Sequence, residues 1–206
     1  ANAVYIGLSD GFNARAKAKG VALSELARVV RLCHEANAKL YLTLNTLLFE
    51  SELSDLEAAL IEVARAGVDA LIVQDPAVAL LARELSPRLE VHASTQMTIS
   101  SPEGAEFAQG LGVTRVVVPR ELSLSEVQRF AERTPLELEV FIQGALCMSW
   151  SGQCLTSEAW GGRSANRGQC AQSCRMPYEL VVDGETRPLG EVRYLLSPSD
   201  LVGFRA

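Results

Sequence analysis

A parallel-sheet α/β fold follows from three features of this 206-residue sequence. Short apolar runs alternate with amphipathic helical patterns from the first residues onward. Glycines follow the helical patterns and serines stand near their starts. Along the strand candidates one side-chain parity is apolar and the other polar, increasingly so toward the carboxyl end. Strands buried alike on both faces would instead read as continuous apolar runs. Strands alternating with helices of this length argue for βαβ units.

The elements fall in order. Strands are expected over Ala3–Leu8, Lys39–Asn45, Ala70–Gln74, Leu89–Ser94, Arg115–Pro119 and Leu136–Gln143. Helices are expected near Leu23–Asn37, Glu52–Ala66, Pro76–Leu85, Pro102–Leu111 and Ser125–Arg133. Gly67 and Gly112 supply stop signals, and Ser24, Ser54 and Ser101 supply start signals. Farther on, Tyr178–Val182, an Asp183-Gly184 turn and Glu185–Leu189 read as a β-hairpin. The six strands are fewer than the eight that close a (β/α) barrel, so the pattern leaves an open doubly wound sheet as the alternative. No GxGxxG follows the first strand, so a dinucleotide site has no support.

Parity also selects candidate site residues. Tyr41, Thr43 and Asn45 share one face of their strand; His92, Ser94 and Gln96 share one face of theirs; Glu137, Glu139, Phe141 and Gln143 share a third. If the sheet curls into a barrel, Asn45, Asp75, His92, Ser94, Gln96, Arg120 and Glu139 converge at its C-terminal mouth. His92 then reads as a hydrogen-bond donor or proton carrier, and Arg120 as a bidentate partner for carboxylate or phosphate. The plainer alternative is that such side chains hydrogen-bond one another to fill the barrel centre. Cys33 falls in helical register with Leu26, Val29 and Val30 and reads as core; His34 beside it reads as a surface or structural residue.

From Gly144 to Arg175 the regular pattern stops. The stretch is rich in Gly, Ser, Gln and Asn, and it carries Cys147, Cys154, Cys170 and Cys174 at separations of six, fifteen and three residues. A loop this long within a compact domain needs something other than an apolar core to hold it. Two disulfides suit an exported protein, but no signal peptide is evident and the total of five cysteines is odd. Zinc accepts four thiolates, although only Cys170 and Cys174 show the close spacing of a zinc ribbon. An iron–sulfur cluster tolerates irregular spacing and is favoured, with zinc the alternative. Such a site keeps residual negative charge, which Arg163, Arg167 and Arg175 can neutralise, or they can hold an anionic substrate.

Composition excludes some functions. Hydrophobic residues make up 48% and charged residues 21%, as in ordinary globular proteins. No apolar run approaches the roughly 20 residues needed to span a bilayer, and a cytoplasmic location is expected. A net charge of −6 argues against a general nucleic-acid coat while leaving room for a local basic site.

Glu139-Val-Phe-Ile-Gln-Gly-Ala-Leu-Cys147-Met-Ser-Trp-Ser-Gly-Gln-Cys154, followed by Asn166-Arg-Gly-Gln-Cys170-Ala-Gln-Ser-Cys174-Arg175, resembles the signature of peptidase family U32. These collagenase-like proteins include oxygen-independent hydroxylases of RNA bases and of the ubiquinone ring. Shorter echoes cover Ala3-Val-Tyr-Ile-Gly7, Phe12-Asn-Ala-Arg15, His92-Ala-Ser-Thr-Gln96, Pro119-Arg-Glu-Leu122 and Leu196-Ser-Pro-Ser-Asp-Leu201. Gln143 stands where the resemblance leads one to expect His.

The resemblance implies a TIM-barrel-like (β/α) fold, incomplete here, with further strands before Ala1 and beyond Ala206. It implies a partition into a partial barrel over 1–144, a cofactor loop over 145–175, and a hairpin with the start of the next barrel segment over 176–206. It makes a [4Fe-4S] cluster on the four cysteines the leading cofactor expectation. The function it implies is hydroxylation of RNA or of a small quinone-type ring, with prephenate as hydroxyl donor. In that function Asn45, Asp75, His92, Gln96, Arg120 and Glu139 serve as catalytic candidates, and Ser94, Arg163, Arg167 and Arg175 as substrate-binding ones. A partner subunit or homo-oligomer is also expected, because an open barrel exposes sheet edges. Proteolysis is the alternative activity, and a metal-stapled RNA-binding module is a third. No His-Glu-x-x-His helix or Gly-x-Ser-x-Gly elbow supports proteolysis, and a cysteine engaged in a cluster cannot also attack a peptide.

Overall fold

The computed structural model describes residues 1–9, 11–14, 19–144, 146–189 and 195–196. Arg15, and the part of the C-terminal echo beyond Leu196, lie outside the described residues. Six parallel strands alternate with helices: β1 (Ala3–Gly7), α1 (Leu26–Glu35), β2 (Lys39–Leu44), α2 (Leu53–Ala66), β3 (Ala70–Val73), α3 (Pro76–Leu85), β4 (Glu90–Ala93), α4 (Pro102–Gly110), β5 (Val113–Val117), α5 (Leu124–Ala131) and β6 (Glu137–Glu139). Strand order follows the chain, β1-β2-β3-β4-β5-β6. The sheet curls into a half-barrel, not an open doubly wound sheet, whose order would reverse part-way.

The side-chain parity read from the sequence is the parity of the fold. Leu40, Leu42, Leu44, Leu71, Val73, Val91, Ala93 and Val116 lie on the helix-facing side, in one core with Leu26, Val30, Leu56, Leu60, Val63, Val78, Ala105 and Phe130. The concave side carries a smaller cluster of Tyr41, Ala70, Ile72 and Val117 with Phe141 packed against it. Cys33 is half-buried against the main core, and His34 meets the Asp69 carboxylate at 2.9 Å.

One irregularity changes what the concave face presents. Val91 pairs with Val113, but His92 pairs with Arg115, so Thr114 is the extra residue of a β-bulge. The bulge turns Arg115 inward and restores Val116 to the helix side. Uninterrupted pairing would have aimed Arg115 into the apolar core.

Helix starts differ from the serine-based expectation in two places. Ser24 lies within a 3-10 turn and Ser54 is already inside α2; there Glu52 reaches back to the Phe49 amide at 2.8 Å. Asp75, Ser101 and Ser123 do cap α3, α4 and α5. The last strand stops at Glu139, short of the expected Gln143. The cysteine stretch, read as irregular throughout, contains α6 (Thr156–Gly161), ended by left-handed Gly162. After it, β7 (Leu180–Val182) and β8 (Glu185–Arg187) form the expected antiparallel hairpin. Its turn has positive φ at both Asp183 and Gly184, as a two-residue type I′ turn requires.

Candidate active site beneath a cysteine-bearing lid

The segment after β6 folds back over the carboxyl ends of the strands, and two glycines let it lie close. Gly152 has φ of 75°, and a side chain there would collide with the Gln96 carbonyl beyond β4. Gly168, at φ of 79°, would collide with the Asn13 carbonyl beyond β1. Polar contacts complete the seating. Thr98 donates to the Ser151 carbonyl. Glu121, just beyond β5, accepts from the Ser151 amide at 2.7 Å. Arg167 binds both oxygens of Glu52 and the Leu47 carbonyl, and stacks on Phe49 at 4.6 Å. The segment is therefore a lid fastened to loops around the mouth.

Within the lid the thiols lie within electrostatic reach of one another. Cys33, Cys147, Cys154, Cys170 and Cys174 are all free, so the disulfide alternative is not realised. Burial pushes the Cys147 thiol up, with the Arg120 charge opposing and Cys170 and Cys154 adding to the rise. Burial and the same mutual repulsion, from Cys170 and Cys147, push Cys174 up. Burial also raises Cys154, but hydrogen bonds from Thr156, Ser149 and the Ser157 backbone outweigh it and hold that thiol low. A thiol stabilised as thiolate by donated hydrogen bonds is the form a metal centre binds. Four thiols in one electrostatic neighbourhood fit the donor set of an iron–sulfur cluster. Among the described residues, no three His, Cys, Asp or Glu side chains are already gathered at metal-binding distance.

Below the lid, the expected site residues separate into three groups. Asn45 and Ser94 meet at the mouth, with Asn45 donating to Ser94 Oγ at 3.2 Å and accepting from the Ala14 amide at 2.9 Å. Gln96 lies beside them, its amide bonded to Ser94 Oγ at 3.2 Å. Arg120 stands over the Phe141 ring at 4.2 Å and within electrostatic reach of Cys147.

Asp75 does not join this group. Its carboxylate accepts from Ala77 N at 2.9 Å and Leu48 N at 3.0 Å, which caps α3 and fixes the loop beyond β2.

His92 lies deeper in the half-barrel, in a third group that Glu139 joins from the end of β6 through Arg115. His92 is fully buried, packs edge-on against Tyr41 with ring centroids 4.8 Å apart, and meets Glu90 at 3.3 Å. Burial lowers the His92 pKa, with Glu90 opposing and the Arg115 charge reinforcing the drop. Arg115 bonds Glu137 at 2.9 Å, Tyr41 Oη at 3.3 Å and Glu139 at 3.5 Å. Burial alone would lower the Arg115 pKa; the pairing with Glu137 and Tyr41 overrides it and raises the value.

The lid arginines differ in the same way. Arg167 is held by Glu52, and Arg175 donates to the Leu146 carbonyl at 3.3 Å. Arg163 is half-buried near Gly161. Gln143 is exposed beyond the end of β6.

Four residues at or below the mouth were missed: Gln74, Thr98, Glu121 and Arg115. Parity could have found Gln74, which continues the Ala70, Ile72 face of β3 by one step. Arg115 could not be found that way, because only the bulge turns it inward. Gln74, Gln96, Thr98 and Gln153 line a cleft of about 440 Å³ between the lid and α4.

Comparisons with known proteins agree with this architecture. A solved structure described as the U32 peptidase Mk0906 superposes with a TM-score of 0.65 at 18% identity, covering 100% of this chain and 79% of that one. At that identity it shows the fold alone. The 23S rRNA 5-hydroxycytidine C2501 synthase of Escherichia coli K12 is 43% identical over 200 residues, covering 97% of this chain and 30% of that protein. The tRNA hydroxylation protein P1 of Bacillus subtilis 168 is 35% identical over 206 residues, covering 98% of this chain and 49% of that protein. A collagenase of Porphyromonas gingivalis W83 is 33% identical over 214 residues, covering 98% and 51%. The chain thus spans between 30% and 51% of the length of these relatives. The model of peptidase family U32 matches residues 1–206, and the lid over a parallel half-barrel is accordingly the work of a chain that belongs to that family.

Proposed function

We propose that this chain carries the cofactor lid and substrate mouth of an oxygen-independent RNA hydroxylase, with an iron–sulfur cluster held by Cys147, Cys154, Cys170 and Cys174. The observation that carries the reading is that one lid over the strand ends brings four free cysteines within electrostatic reach of one another. Two relatives named for hydroxylation of rRNA and tRNA support the substrate class. When bound, the cluster supplies electron-transfer chemistry that no side chain of the chain can supply.

The chain's own residues position and shield. Asn45 and Ser94 fix the floor of the mouth through their shared hydrogen bond. The lid covers the mouth, fastened by Arg167–Glu52 and Glu121–Ser151. Arg120, over Phe141 and within electrostatic reach of Cys147, is the residue we assign to a carboxylate of the hydroxyl donor, for which prephenate is the candidate.

Proteolysis fits the same residues less well. A Cys147 nucleophile needs a base, and His92 is sealed in the interior against Glu90 and Tyr41.

Anaerobic purification followed by absorption spectroscopy and iron, sulfide and zinc assays tests the cofactor. Iron and sulfide in matching amounts are expected. Stoichiometric zinc in a colourless protein would overturn the cluster. RNA incubated with the protein and a hydroxyl donor, then digested to nucleosides, should show mass gain of one oxygen atom on a single base.

A further inference from the structure

The cleft beside the lid contains a polar group that the protein leaves unsatisfied. Gln74, the residue after β3, is 4% exposed, and its Oε1 is buried without a hydrogen-bond partner among the described residues. A buried polar atom left unpaired costs about what a lost hydrogen bond costs, and such groups cluster where a ligand completes them. The side chain lines the 440 Å³ cleft, and Gly152 of the lid approaches its amide nitrogen so closely that a Cβ there would lie 3.2 Å away.

The rest of the lining narrows what can fill the cleft. Gln96, Thr98 and Gln153 supply neutral donors and acceptors, and Met97 and Phe107 supply apolar surface. Neither an acidic nor a basic side chain lines the cleft. A phosphate or carboxylate bound there would meet no cationic side chain in the lining, whereas an uncharged heteroaromatic ring would find its needs met. An amide presents a donor and an acceptor side by side, the same pattern as the edge of a nucleobase. Phe107, 68% exposed at the rim, offers a face on which such a ring can stack. The cleft, at about 440 Å³, has room for a base.

Resting on the RNA reading above, we propose that this cleft receives a single unstacked nucleobase, with Gln74 reading its edge and Phe107 stacking at its entrance. Enzymes that act on a base must take it out of the stack, and Gly152 and Gln153, which line this cleft, immediately precede Cys154 in the chain. Gln74 is thus a specificity residue, placed by β3 and covered by the lid.

Fluorescence anisotropy with two short single-stranded RNAs tests this, one complete and one lacking the base at a single central position. The wild-type chain should bind the complete strand about ten-fold more tightly. Gln74→Met keeps the side-chain length and removes the amide; it should erase that preference while leaving affinity for the abasic strand unchanged. Phe107→Ala, at an exposed position that folding does not depend on, should lower affinity for the complete strand about ten-fold. Equal wild-type affinity for both strands, or an undiminished preference in both variants, overturns the base cleft while the RNA hydroxylase reading stands. Failure of the wild-type chain to bind either strand, with no oxygen added to RNA, overturns both.

Discussion

At the scale of single residues, burial decides what each candidate can do. His92 was expected at the mouth, but it lies two residues below Ser94 on the same face of the sheet, fully enclosed. Its lowered pKa has a definite consequence. A histidine harder to protonate folded than unfolded withdraws stability as pH drops below the unfolded value of about 6.5. Denaturant midpoints should therefore fall between about pH 7 and pH 5, and His92→Phe, which keeps a ring against Tyr41, should flatten that part of the curve. A wild-type curve no steeper than the variant's would show that His92 ionises without resistance. The cysteines invite a test of the same kind. If the proposed cluster is present, Cys170→Ala and Cys174→Ala should each purify with most of the wild-type iron missing, and full iron in both would remove them as ligands.

At the scale of elements, short local devices aim the site. The bulge at Thr114 turns Arg115 into the half-barrel, where it gathers Glu137, Glu139 and Tyr41. Capping sets the loops beyond the strands. Ser123 accepts from the Glu126 amide and Glu126 returns to the Ser123 amide at 2.8 Å, so Ser123→Ala should cost about 1 kcal/mol in chemical denaturation. The lid depends on glycine where it crosses the strand ends. Gly168→Ala must place a Cβ against the Asn13 carbonyl in a left-handed conformation, a strain of about 1–3 kcal/mol. The expected result is a lid cleaved faster by added protease while the circular dichroism of the half-barrel is preserved. Equal protease resistance would mean that the lid seats by other contacts.

At the scale of the whole molecule, one ion pair ties the latest part of the site to one of the earliest. Arg167 in the lid grips Glu52 at the start of α2, 115 residues away in the chain. The Arg167 bond, with the Phe49 amide, holds the Glu52 carboxyl below its ordinary value of 4.5. A carboxylate depressed in the fold contributes stability above its unfolded pKa and loses it as pH falls through the folded one. The lid should accordingly loosen in acid before the half-barrel unfolds. Arg167→Ala should produce the same loosening at neutral pH, read as faster reaction of the lid thiols with a chromogenic disulfide in metal-free protein. Unchanged thiol rates would place the fastening elsewhere, at Glu121 and Ser151.

The sequence by itself determined the strand–helix alternation, the face of each strand that meets the helices, the hairpin turn and the four cysteines of the lid. Each depends on local periodicity or on spacing along the chain, and a linear text preserves both. Tertiary structure alone decided that Arg115 faces inward and that His92 is enclosed. It also decided that Arg167 is held by Glu52 and that Gln74 Oε1 meets no hydrogen-bond partner among the described residues. Those outcomes depend on which groups meet across a curled sheet and how little water remains between them, and neither distance nor dielectric environment is written in residue order.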